Sequence, residues 1–291
     1  MKFSPESLRN IEKPEEHLVP EENIIDINPT EKKFETPVIV APGWGKIVEP
    51  FKENSLKVIA EEGRRILSLD HLRKIEIKNI PEGVPAEEIQ KALAILDVLD
   101  QKEIDRADAV GHSEGGLYLA LAASIKPEKF RNLVFVDPAG MIGQDSFFDL
   151  AYRFAIKEGR QSKLPPLMML KAMMEYVGQN PAMSFKEVKQ MSQADIYEVL
   201  KYLKKQGLGL AFVFGVDDVV FPMDRVQKTY SQKREAEEIG SFKDILDGFY
   251  SISGTHGEFI GHGEMLEPQV LPKAVGKILS ALEKKSSKTS Q

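Results

Sequence analysis

Short, nearly continuous apolar runs alternate along this chain with longer segments of helical period. The runs are N-I-I-D-I-N-P (23–29), P-V-I-V-A-P-G (37–43), R-R-I-L-S-L-D (64–70), A-D-A-V-G (107–111), N-L-V-F-V-D-P-A-G (132–140), L-A-F-V-F-G (210–215) and G-F-Y-S-I (248–252). They are rich in β-branched and aromatic residues, and several end in Gly or Pro, the pattern of buried strands. Residues 50–63 have helical character. A helix opens at Pro85, with Glu87 and Glu88 in its first turn to complement the dipole. Its apolar face is Ile89, Ala92, Leu93, Leu96 and Leu99. Leu117–Ile125 is a helix of small residues, and 268–284 carries Val270, Leu271, Val275, Ile278 and Leu279 on one side. Strands alternating with helices predict an α/β fold: a mostly parallel twisted sheet with helices on both faces.

The alternation fails over residues 142–207, which contain no convincing strand. S-F-K-E (184–187) offers a capping box, Ser184 with Glu187, ahead of a helix carrying Val188, Met191, Ile196, Leu200 and Leu203. Met168, Met169, Met173, Met174, Met183 and Met191 fall in this stretch, six of the chain's ten methionines. The pattern predicts an α-helical cap (142–207) inserted into a core made of 23–141 and 208–284, preceded by a polar N-terminal arm (1–22) and followed by a flexible tail (285–291).

Composition narrows the chemistry. The 291 residues include no cysteine, so disulfides, thiolate nucleophiles and cysteine-ligated zinc are excluded. The net charge of −6 is interspersed along the chain, without the basic blocks of a nucleic-acid surface. No apolar run is long enough to span a bilayer, and the N-terminus lacks a signal-like apolar stretch, so a cytoplasmic location is expected. No cofactor is expected, and oligomeric state is not legible.

One stretch carries a nucleophile signal. Gly111-His112-Ser113-Glu114-Gly115-Gly116 has the form G-x-S-x-G between a predicted strand and a predicted helix. Such a match arises by chance in about one chain in ten of this length, so the strand and helix around it carry much of the weight. The chain must reverse sharply there, leaving Ser113 in a strained conformation with its hydroxyl presented. Side chains at 111 and 115 would collide with the neighbouring helix and strand.

These residues resemble the nucleophile elbow of the α/β-hydrolase family, and the resemblance covers most of residues 23–284. It implies that Ser113 is the nucleophile. The family's acid follows a later strand in a pattern like G-x-x-D-x-(V/I)-x-P, met by Gly215–Pro222, which aligns Asp218; the adjacent Asp217 is the alternative. The family's histidine follows the last strand in a G-x-H-like turn, met by Gly254-Thr255-His256, with His262 as rival. The resemblance further implies an oxyanion hole made by the backbone amides of Glu114 and of Trp44, the latter in the loop Pro42-Gly43-Trp44-Gly45. In that family the loop often reads H-G-x-G; here Pro42 stands in place of the histidine.

Gly43, Trp44, His112, Met168 and Met173 are the candidates for substrate contact, with Phe147, Phe148, Tyr152 and Phe154 adding aromatic surface. Methionines adapt to varied apolar shapes, which points to a small-molecule substrate with an apolar group. His17 and His71 read as surface residues. A metal cluster of His256, His262, Glu258 and Glu264 lacks the spacing of H-E-x-x-H, and no metal site is expected. The expected activity is a carboxylesterase-like serine hydrolysis of an ester, thioester or related carbonyl compound. The alternatives are carbon–carbon bond hydrolysis, acyl transfer, perhydrolysis, or ligand or partner binding without catalysis on the same scaffold.

Overall fold

The computed structural model describes residues 5–45, 54–70, 80, 83–161, 166–256 and 270–289. The seven apolar runs become seven strands: β1 (Ile24–Ile27), β2 (Val38–Ala41), β3 (Ile66–Leu69), β4 (Ala107–His112), β5 (Phe130–Val136), β6 (Gly209–Gly215) and β7 (Gly248–Ile252). They form one sheet in the order β1-β3-β2-β4-β5-β6-β7. Only β1 runs antiparallel to its neighbour, β3; the remaining pairs are parallel. Alternate residues of each strand serve opposite faces. Ile39 and Ala41 join one apolar core, while Val38 and Val40 join the other. Burial on both faces explains the continuous apolar strands.

The helices α1 (Asn54–Ala60), α2 (Ala86–Gln101) and α3 (Glu114–Ile125) follow β2, β3 and β4. Between β5 and β6 the chain is helical: α4 (Phe147–Tyr152), a π-helical turn at Arg153–Glu158, α5 (Gly159–Gln161), α6 (Pro166–Gln179), α7 (Pro181–Gln193) and α8 (Tyr197–Lys205). Later come α9 (Met223–Glu235), α10 (Phe242–Ile245) and α11 (Val270–Thr289). Residues of α2, α3 and α8 pack in one core, and those of α1 and α11 in the other.

Three expectations are corrected. The N-terminal segment is not a solvated polar arm: Leu8, Ile11, Leu18 and Val19 are buried in the main core. Its tether is Asp97 on α2, which accepts the backbone amides of Leu18 (2.7 Å) and Val19 (3.0 Å) and pairs with Lys13 (2.8 Å). With α3 and α7 packed on other sides, α2 is buried well beyond the single apolar stripe read from its period. The tail does not begin at 285, because α11 continues to Thr289. Finally, Ser184 and Glu187 are not a capping box. Asn180 caps α7, accepting the Met183 amide at 3.0 Å with Pro181 at the first position, and the segment breaks at Ala194 into α7 and α8.

Candidate active site

The sheet order reverses between β2 and β4, so the loops leaving their carboxyl ends lie side by side, the usual place for a site in an open α/β sheet. The loop after β2 holds Gly43 and Trp44; the turn after β4 holds Ser113. Ser113 has φ 56° and ψ −122°, a conformation that costs strain in any residue with a side chain. It is pinned from both ends: its amide donates to Val136 O and its carbonyl accepts from the Ala139 amide, each at 3.0 Å.

The flanking glycines permit this turn. A Cβ on Gly115 would sit 2.1 Å from Ala41 O, and one on Gly111 would sit 2.7 Å from the Gly116 Cα. Both contacts are with backbone, which has little room to give.

Three distant segments meet at the Ser113 hydroxyl. His256 Nε2 lies 2.9 Å from Ser113 Oγ, and its Nδ1 lies 2.9 Å from Asp218 Oδ2. Asp218 Oδ1 accepts the amides of Val220 (2.6 Å) and Phe221 (3.0 Å). The last two segments are brought together beyond the strand ends, where Val216 N donates to Ile252 O (2.9 Å) and Asp217 N to Gly254 O (3.1 Å). Asp218 is buried and Asp217 exposed, which separates the two adjacent acids. His262, Glu258 and Glu264 lie outside the described residues, as does His71.

Burial works against charge on His256, but the Asp218 carboxylate outweighs it and holds the imidazole pKa above its ordinary 6.5. Burial likewise works against ionised Asp218, and the His256 charge, reinforced by two amides, keeps that carboxyl below its usual value. The pair is thus arranged to stabilise an imidazolium beside a carboxylate.

A cavity of about 350 Å³ opens at Ser113. Its walls include Trp44 from the β2 loop, Val220 and Phe221 from the Asp218 segment, and many residues from α4 to α7, among them Phe147, Phe154, Phe185, Val188 and Met191. Among the described lining residues none is charged; the polar side-chain groups are the hydroxyls of Ser113 and Ser184 and the Trp44 indole N–H. That N–H is committed to Glu187 Oε2 at 2.9 Å, and the ring stands edge-on to Phe154 and Tyr176.

Other candidates fall differently. Gly43 abuts the nucleophile: a Cβ there would be 3.1 Å from the Ser113 Cβ. His112 is not among the cavity-lining residues. Its Nε2 bonds to the His256 carbonyl at 2.9 Å, so it supports the histidine rather than touching the cavity. Met168 and Met173 belong to α6, but their side chains lie outside the described residues. Phe148 and Tyr152 are exposed, unlike Phe147 and Phe154. His17, read as a surface residue, keeps its ring largely exposed while bonding to Asp97.

Sequence reasoning missed several residues around the site. Tyr118 on α3 donates to the Pro42 carbonyl, holding the loop that lacks the family's usual histidine. Asp137, directly after β5, is buried with φ 44° and accepts the Gly215 amide at 2.8 Å. The only local signal for it was an aspartate closing an apolar strand. His112, Asp137 and His256 bring one potential ligand atom each within 4.8 Å of one another. Both His256 nitrogens are already engaged with Ser113 and Asp218, so a metal there would have to break that chain.

Residues 36–158 match the profile of the family described as alpha/beta hydrolase fold. The chain has the α/β-hydrolase fold. Solved structures of the same fold include a bromoperoxidase from Bacillus anthracis (17% identity, TM-score 0.58, covering 90% of this chain and 94% of that one). An esterase from Exiguobacterium antarcticum superposes with TM-score 0.56 at 14% identity, over 89% of this chain and 94% of the other. A meta-cleavage product hydrolase from Pseudomonas fluorescens gives 0.55 at 15% identity, over 91% and 94%. No curated protein matches the sequence. The names of these neighbours differ in chemistry while the scaffold is shared, so the likeness is one of fold. Among the described residues, no helix is long and apolar enough to cross a membrane.

Proposed function

We propose that this protein is a serine hydrolase that cleaves an uncharged ester, thioester or related carbonyl substrate with an apolar acyl portion, through an acyl-enzyme. The observation that carries the reading is the Ser113–His256–Asp218 chain, 2.9 Å at each link, ending at an apolar cavity. His256 takes the Ser113 proton as the oxygen attacks the carbonyl carbon, then gives it to the departing alcohol or thiol. Asp218 holds the imidazole tautomer and stabilises the imidazolium. A water, deprotonated by the same histidine, then releases the acid. The amides of Glu114 and Trp44 receive the oxyanion, and the α3 N-terminus behind Ser113 adds its dipole. Residues 142–207 act as a cap whose helices α4 to α7 form much of the acyl pocket.

The test is hydrolysis of p-nitrophenyl esters of graded chain length by wild type and Ser113→Ala. Turnover should rise from acetate to medium chains as the acyl group fills the cavity, and Ser113→Ala should abolish it. Equal turnover by the two proteins removes the assignment. A cavity so apolar would also suit a protein that binds a ligand without reacting. A fluorophosphonate separates the two: labelling at Ser113 marks the enzyme, and apolar-ligand binding without labelling marks the binder.

A further inference from the structure

Four ionisable side chains are buried together behind Ser113: Glu88 and Lys91 of α2, Glu114 of α3 and Glu187 of α7, each at most 1% exposed. Glu187 spends its two oxygens on two different elements. Oε2 accepts the Trp44 indole N–H and Oε1 pairs with Lys91 Nζ, each at 2.9 Å. Lys91 Nζ in turn meets Glu114 Oε2 at 2.6 Å. The result is a continuous link Trp44–Glu187–Lys91–Glu114. Its ends are the two residues whose backbone amides the proposed mechanism uses for the oxyanion, and one of its middle members belongs to the inserted helices.

Stability alone does not account for this cluster. Well-packed apolar side chains in place of a buried ion pair are often as stable or more so. Charge and hydrogen bonds instead specify one arrangement, because a buried ammonium tolerates no slip away from its partners. A shift of α7 by one turn, about 5.4 Å, would break both Glu187 contacts at once. Rim contacts reinforce the same seating: Glu87 of α2 bonds Gln190 at 2.6 Å and pairs with Lys186 at 3.0 Å.

We propose that Glu187 and Lys91 are positioning residues, a buried brace that sets the Trp44 and Glu114 segments at the spacing an oxyanion requires, so that seating of α7 completes the hydrolytic site. This rests on the serine-hydrolase reading above. Neither residue touches the substrate. The brace acts on the transition state and leaves the acyl cavity as it is.

The test uses the full-length chain with p-nitrophenyl acetate, whose acyl group is too small to need the cavity. Glu187→Gln keeps an oxygen for the indole but loses the charge opposite Lys91; Lys91→Met keeps most of the length of the side chain but loses the ammonium that joins Glu187 to Glu114, and neither residue lines the cavity. Both should lower kcat by about tenfold or more, short of the roughly 10²–10³-fold loss from deleting an oxyanion donor outright. KM should stay within about threefold, since ground-state binding is untouched. Inhibition by an alkyl trifluoromethyl ketone, which forms an oxyanion on Ser113, should weaken by the same factor as kcat/KM. Binding of the uncharged fluorophore N-phenyl-1-naphthylamine should be unchanged. If Glu187→Gln does not fold, Lys91→Met answers alone. The brace is overturned if folded variants keep wild-type kcat and inhibitor affinity, or if kcat falls only together with fluorophore binding. Failure of the wild type to label with a fluorophosphonate at Ser113 overturns the brace and the hydrolase reading together; normal labelling with unaffected variants sinks the brace alone.

Discussion

Asp137 and Asp218 are two buried carboxyls facing each other at the foot of the Ser113–His256 chain. Two carboxylates cannot both be ionised so close together in a buried site. Burial first, and then the Asp218 charge, push the Asp137 carboxyl well above its ordinary value, while Asp218 stays below its own. Both effects favour the protonated form of Asp137 beside the Asp218 carboxylate. Asp137→Asn supplies an amide donor in its place and an oxygen for the Gly215 amide, so it should keep kcat within a few-fold. Asp137→Ala strands that buried amide and should cost roughly 1–3 kcal/mol. Paired denaturant melts and esterase rates of the two variants check this.

In the proposed mechanism the pH–rate profile follows from His256. The base must be neutral to accept the Ser113 proton, and its pKa is held above 6.5. Activity as kcat/KM should therefore rise with pH, with a midpoint above 6.5. Asp218→Asn removes the charge that sustains the shift. The midpoint should fall, and kcat should drop by roughly 10⁴, the loss known for the equivalent change in a serine protease triad. A midpoint that does not move in Asp218→Asn would detach the limb from this pair.

Stability should depend on pH through Glu114. Burial, only partly offset by the Lys91 charge and reinforced by the Glu187 charge, raises its pKa from 4.5 to about 7. The folded protein thus keeps a proton that the unfolded chain has already released, so stability declines as pH rises from about 4.5 to about 7. One full proton corresponds to about 1.4 kcal/mol per pH unit. Glu114→Gln should flatten the slope of unfolding free energy across this window. Parallel slopes for wild type and variant would contradict the assignment.

Gly115→Ala tests the elbow. Its methyl would sit 2.1 Å from Ala41 O and 2.6 Å from Pro42 O, so β2 or its loop must move. Overpacking of this kind costs typically 1–3 kcal/mol, and rigid backbone on the far side places this case at about the upper end. Esterase activity should fall further than stability, because the displaced loop is the one carrying Trp44. Urea denaturation and kcat measured at a temperature where both proteins are folded separate the two effects.

Local physics made much of this molecule legible in its sequence. Continuous apolar strands such as 37–43 and 210–215 identify themselves because burial on both faces leaves no polar alternation. The elbow at Gly111–Gly115 identifies itself because only glycine fits a turn pressed between a strand and a helix. Ser113, Asp218 and His256 each follow a strand, so their order and turn chemistry pointed to them before any distance was known.

The tertiary structure decided what depends on neighbours distant in the chain. The spacing of Ser184 and Glu187 matches a helix cap. Glu187 is instead drawn inward, because Lys91 and the Trp44 indole, 96 and 143 residues away, need a buried acceptor. Leu18 and Val19 looked like part of a polar arm until Asp97 of α2 supplied partners for their amides. Periodicity and motif report how a segment meets its own backbone and one apolar face. They carry no information on which buried charge answers another across the fold, and here that pairing sets the surroundings of the serine.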